Sequence, residues 1–105
     1  QADVAVSPTD ARALARLAVY QAKAGDDAAA RKSLAAAEKL AARDEQVQLR
    51  GGVVDALAGR TDEALTAIER ALAGGISPRA VETEEDFAKL RPLPRFAAMV
   101  QPKQR

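Results

Sequence analysis

The sequence predicts an all-α fold: two helix-turn-helix repeats closed by a helical C-terminal cap. Three observations carry this. No β-type alternation of any length runs through the 105 residues, whereas apolar residues recur at helical spacing. Gly25 and Gly59 lie 34 residues apart, and their surroundings repeat at that distance. Ala24-Gly25, Ala30, Leu34 and Ala37 return as Ala58-Gly59, Ala64, Ile68 and Ala71. A period of this length, with a glycine turn between two helical patterns, marks a helical repeat array. Finally, helix start and stop residues punctuate the chain at matching places.

Taken in order, residues 1–6 read as a linker or tether, and Ser7-Pro8-Thr9-Asp10 as a helix start. Ser7 suits the cap, Pro8 the first helical position, whose N–H has no partner anyway, and Asp10 the positive helix end. Leu14, Leu17, Ala18 and Ala24 follow at helical spacing, and Gly25 ends the helix in a left-handed conformation. Asp26-Asp27 opens a second helix with Ala30, Leu34, Ala37 and Leu40 on one face. Asp44 caps a third that runs to Ala58 and stops at Gly59, and Thr61-Asp62-Glu63 opens a fourth that ends at Gly74-Gly75.

Ser77-Pro78 repeats the first start signal and opens a fifth, shorter helix. Phe87, Leu90, Phe96 and Met99 carry the large apolar groups of the tail, and Pro92 and Pro94 interrupt any helix between them. The expected result is a cap over residues 76–100: a short helix, a turn, and a last helical turn or two folded over the array. Residues 101–105 form a polar, frayed end.

Composition narrows the function classes. Alanine supplies 26 residues, while Phe and Tyr supply three and Trp none, so the core is thin and modestly stable. Sixteen basic residues against 15 acidic leave no long-range field for nucleic acid. Cysteine and histidine are absent, which removes disulfides, thiolate chemistry, the usual zinc ligands and histidine acid–base catalysis. No cofactor and no catalytic residue is expected. No apolar run reaches the roughly 20 residues that span a bilayer, so direct membrane insertion is not expected. The first residue is Gln1, read here as the edge of a piece excised from a larger protein.

Gly59-Arg60-Thr61-Asp62-Glu63-Ala64-Leu65, followed by Ala71-Leu72, resembles the second half of a tetratricopeptide repeat. In that family a glycine ends the first helix and an acidic-Ala-aliphatic group starts the second. An alanine seven residues on then lets the two helices close. Gly25, Ala30, Leu34 and Ala37 match in one copy, and Gly59, Ala64, Ile68 and Ala71 in the other. Gly52 and Ala18 correspond to the small residue that the first helix presents to its mate. The resemblance covers two repeats, about 11–44 and 45–78, within residues 7–75 and their exit. The pattern departs at Leu14 and Gln48, where the family has an aromatic, at the pair Leu17 and Gly51, and in lacking the closing proline.

The tail is similar to the closing segment of many bacterial repeat proteins, where it often ends a repeat region behind a kinase, cyclase or other signalling domain. The Ala/Arg-rich composition accords with a bacterial origin. The compartment stays open between the cytoplasm and the periplasmic side of a membrane-tethered parent. Two repeats are fewer than the three usually needed, so the tail is expected to act as third layer and cap.

Family geometry implies that the first helix of each pair forms a concave wall. Arg12, Arg16, Val19 and Lys23 share one stripe there, and Gln46, Arg50, Val53 and Leu57 share it one repeat later, with Leu49 beside them. The implied site is a groove with a basic rim and a small apolar floor, suited to a peptide bearing carboxylates, which guanidinium groups bind in pairs. The same stripe also reads as an ordinary solvated face of arginine-rich helices. A clamp for a free C-terminal carboxylate, as in some family members, is not supported: Ala15 and Val19 stand where it needs polar groups, and the chain has no asparagine.

Glu82-Thr83-Glu84-Glu85-Asp86 reads as a hydrated turn, since it lacks the ligand-and-glycine layout of a calcium loop. Gly51-Gly52 and Gly74-Gly75 read as packing and cap glycines, and Tyr20 as packing. The expected function is a scaffold or adaptor for a protein or peptide partner, with no enzymatic activity. The alternatives are self-association, through the exposed side of the first helix and the Phe87/Phe96 tail, and a plain spacer.

Overall fold

The computed structural model describes residues 8–100. The linker, the Ser7 cap and the polar end assigned from sequence lie outside them. All regular structure in the described residues is helical: α1 (Pro8–Lys23), α2 (Asp27–Ala41), α3 (Glu45–Leu57), α4 (Thr61–Ala73), α5 (Pro78–Glu82), a 3-10 turn (Glu85–Phe87) and α6 (Pro94–Val100).

The boundaries follow local chemistry. Asp26 accepts the Ala29 N–H at 3.1 Å and Asp44 accepts the Val47 N–H at 3.2 Å, each satisfying a donor that the first helical turn leaves unpaired. Ser77 does the same for Ala80 at 3.1 Å, with Pro78 just inside the start. Gly25 and Gly59 turn the chain between the helices of each pair at φ 87° and 82°. A side chain is strained in that left-handed region, which is why glycine recurs at the repeat distance.

The helices pair as α1 with α2 and α3 with α4, and α3 also packs on α1 and α2. The 3-10 turn lies on α3, while α6 lies on α4 and α5. Close approach is bought with small residues. A methyl at Gly52 would sit 3.2 Å from the Ile68 side chain and 3.5 Å from the Ala64 carbonyl, both on the partner helix α4. Gly51 faces Leu34 of α2.

The core is divided. Ala11, Ala15, Ala37 and Val47 form a small cluster at one end, whereas Ala18, Leu34, Val53, Val54, Ile68, Val81, Phe87 and Phe96 belong to the main one. The two largest fully buried side chains, Phe87 and Phe96, both come from the tail. They meet edge to face, with ring centroids 6.2 Å apart. They are therefore unavailable for the self-association surface assigned to them from sequence.

Other departures share one cause. Ala11, Ala15 and Ala18 face inward on α1, while Leu17 is 44% exposed and Tyr20 is 69% exposed. Methyl groups fill most of the contact of α1 with α2 and α3, so Leu17 and Tyr20 turn outward, while Val19 enters the main core. Tyr20 is thus a surface residue rather than packing. Leu40 is partly exposed, and only Ala30, Leu34 and Ala37 of its predicted face are buried.

Polar ties bind the pairs. Arg12 of α1 donates twice to the Asp44 carboxylate, at 3.0 and 2.8 Å. Arg60 spans two carboxylates: it meets Asp55 at 2.8 Å and holds Asp27 bidentately at 2.9 and 3.1 Å. Its guanidinium holds the Asp27 carboxyl below the usual range, as Arg12 does for Asp44. Burial instead pushes Asp55 and Glu38 upward.

Candidate functional site

The inward-turning stripes of α1 and α3 meet at a cavity of about 200 Å³ lined by Arg16, Val19, Tyr20, Lys23, Arg50, Val53, Glu84 and Asp86. Val19 and Val53 are almost fully buried and form its floor. Arg16 and Arg50, one repeat apart, stand at its rim.

The cations of this face differ in their partners. Arg12 is consumed by Asp44, with Glu45 a further 3.7 Å neighbour, and does not reach the cavity. Lys23 pairs with Asp86 at 3.3 Å, linking the end of α1 to the 3-10 turn. Neither Arg16 nor Arg50 has an ion-pair or hydrogen-bond partner among the described residues. Two guanidinium groups without a direct partner therefore line one small cavity that also holds the carboxylates of Glu84 and Asp86, and a carboxylate is the group that satisfies their fork of donors.

The remaining stripe residues lie elsewhere. Leu49 is partly buried against the main core, and Gln46 is half-buried outside the cavity. Leu57, 40% exposed, lines a larger neighbouring groove of about 560 Å³ with Ala56, Lys89, Leu90 and Leu93. Asp86 lines both spaces and stands between them.

Sequence reasoning missed Tyr20, Glu84 and Asp86. Tyr20 follows Arg16 by one helical turn, so the stripe itself carried that signal. Glu84 and Asp86 had none, because their approach to α1 depends on how the tail folds. The acidic segment is thus more than a hydrated turn. Glu84 accepts the Asp86 N–H at 3.2 Å, and Arg91 donates to the Glu82 and Glu84 carbonyls, both at 2.9 Å. Phe87, fully buried, anchors the turn on the core.

Among the described residues no group of three or more His, Cys, Asp or Glu side chains is placed to hold a metal ion. No described helix is long and apolar enough to cross a membrane. Neither a protein-family model, nor a curated protein, nor a solved structure matches this chain.

Proposed function

We propose that this chain is a short tetratricopeptide-type array that binds a protein or peptide partner through the α1/α3 face, using Arg16 and Arg50 to hold carboxylates. The observation that carries the reading is the pair of unpartnered guanidinium groups, one repeat apart, over the Val19/Val53 floor. The 34-residue period and the matched left-handed glycines support the repeat assignment. A cavity of about 200 Å³ falls below the roughly 300 Å³ that drug-sized ligands occupy, which favours reading side chains of a peptide over enclosing a free metabolite.

The test is partner capture by the immobilised protein, with bound proteins identified by mass spectrometry. Arg16→Glu with Arg50→Glu should abolish capture while far-ultraviolet circular dichroism stays unchanged. Lys32→Glu with Lys39→Glu, the same charge change on the exposed face of α2, should leave it intact. Equal capture by all three proteins eliminates the groove.

Leu17 and Tyr20, one turn apart and exposed on α1, favour a second reading in which the array self-associates through that helix. Sedimentation across concentrations decides it, since a strict monomer at high micromolar removes this reading.

A further inference from the structure

We infer that the face reads a bipartite peptide, with a carboxylate at Arg16 and Arg50 and an apolar side chain against Leu57 and Leu93, and that the Lys23–Asp86 pair is a removable bar between the two subsites. The inference rests on the carboxylate-binding reading above and extends it. Asp86 borders both the cavity, which Arg16, Lys23, Arg50 and Glu84 also line, and the apolar groove, so the Lys23–Asp86 pair stands at their shared edge. The groove is lined mainly by apolar surface, with Leu57 partly exposed within it. A partly exposed leucine in the groove and two arginines without a direct partner in the adjoining cavity match a ligand carrying both acidic and apolar groups.

The bar is built to yield. The Lys23 side chain is 50% exposed and that of Asp86 18%, at a separation of 3.3 Å. With its lysine half in solvent, the pair is partly screened by salt and holds weakly. The backbone beneath it is anchored by the buried Phe87 ring and by Arg91, which donates to the Glu82 and Glu84 carbonyls. Asp86 also stands in for a ligand carboxylate: it occupies the one cavity cation that an incoming acidic residue would otherwise share with Arg16 and Arg50.

Fluorescence anisotropy tests this with an end-capped, labelled peptide of three glutamates and two leucines, made in both orders. Versus the wild-type chain, Arg16→Glu with Arg50→Glu should weaken binding more than tenfold. Leu57→Gln, at an exposed position, should weaken it severalfold, and only for peptides that keep their leucines. Asp86→Asn should tighten it about two- to fivefold, the range that a weak exposed pair commands. Glu82→Gln, which removes a charge from the same segment without touching Lys23, should do less.

The outcomes separate. Binding that depends on the arginines but ignores replacement of the leucines by serine overturns the bipartite site and leaves the carboxylate reading. Binding unchanged, or altered equally, by Asp86→Asn and Glu82→Gln overturns the bar. Absence of binding by every peptide overturns both inferences.

Discussion

The first helix pair and the second share matching residues 34 positions apart but are held in different ways. In α1 and α2 the buried groups are mostly methyls, from Ala11, Ala15, Ala18, Ala30 and Ala37, with Leu34 the largest. In α3 and α4, Val53, Val54, Leu65 and Ile68 are joined by Phe87 and Phe96 of the tail. The first pair gains stability from close approach, and the second from area buried under a cap. The difference follows from what covers each. The tail lies on α3 and α4, while α1 keeps Leu17 and Tyr20 in solvent.

The largest expected effect comes from breaking the better-filled side. Phe87→Ala removes a fully buried ring and should cost about 3–5 kcal/mol, a large share of the stability of a domain this size. Leu34→Ala, the nearest equivalent in the first pair, should cost about 2–3 kcal/mol because the site already touches solvent. Chemical denaturation of both variants measures the contrast. Equal losses would show that the two halves share one evenly packed core.

A smaller effect sharpens the role of close approach. At Gly51 an added methyl makes ordinary contact with the flexible Leu34 side chain at 3.4 Å. Gly51→Ala should therefore stabilise by up to about 1 kcal/mol through reduced backbone freedom in the unfolded chain. Gly52→Ala brings the same entropic benefit but meets the stiff Ile68 side chain at 3.2 Å. Its melting temperature should stay level or fall. A rise equal to that of Gly51→Ala would show that α3 and α4 have room to spare.

The smallest effect is the pH dependence of the ties between pairs. The carboxyls of Asp44 and Asp27 lie below their usual range because of Arg12 and Arg60. Their contribution is complete above the unfolded value of about 3.9 and is lost as pH falls through the lower folded values. Glu38 and Asp55, raised by burial, work the other way: protonation relieves their desolvation as pH falls toward about 4. The melting temperature should accordingly be level or slightly higher in mild acid than at pH 7 and fall below about pH 4. Asp44→Asn keeps a capping side chain but not the charge, so it should lower the pH 7 value and flatten the acid fall.

How much of this was legible in the sequence depends on range. Gly25, Gly59, Asp26, Asp44 and Ser77-Pro78 act on their own turn of backbone, so the helix order and most boundaries could be read from them. The inward face of α1 could not be read: spacing alone ranks Leu14 and Leu17 above the alanines, and only the closeness of α2 and α3 reverses that order. Arg12 illustrates the same limit in the site. Its stripe matched that of Arg16, yet Asp44, 32 positions away, takes its guanidinium. Lys23 is likewise met by Asp86, a contact visible only once the tail is folded.

The most direct test of the proposed site is a titration of the nitrogen-15-labelled protein with the glutamate-leucine peptide, followed at the arginine side-chain Nε–H resonances. Arg16 and Arg50 should shift together and saturate with one dissociation constant, while Arg12 and Arg60, already held by carboxylates, stay in place. Shifts confined to other arginines, or none up to millimolar peptide, would contradict the assignment of this face as the binding surface.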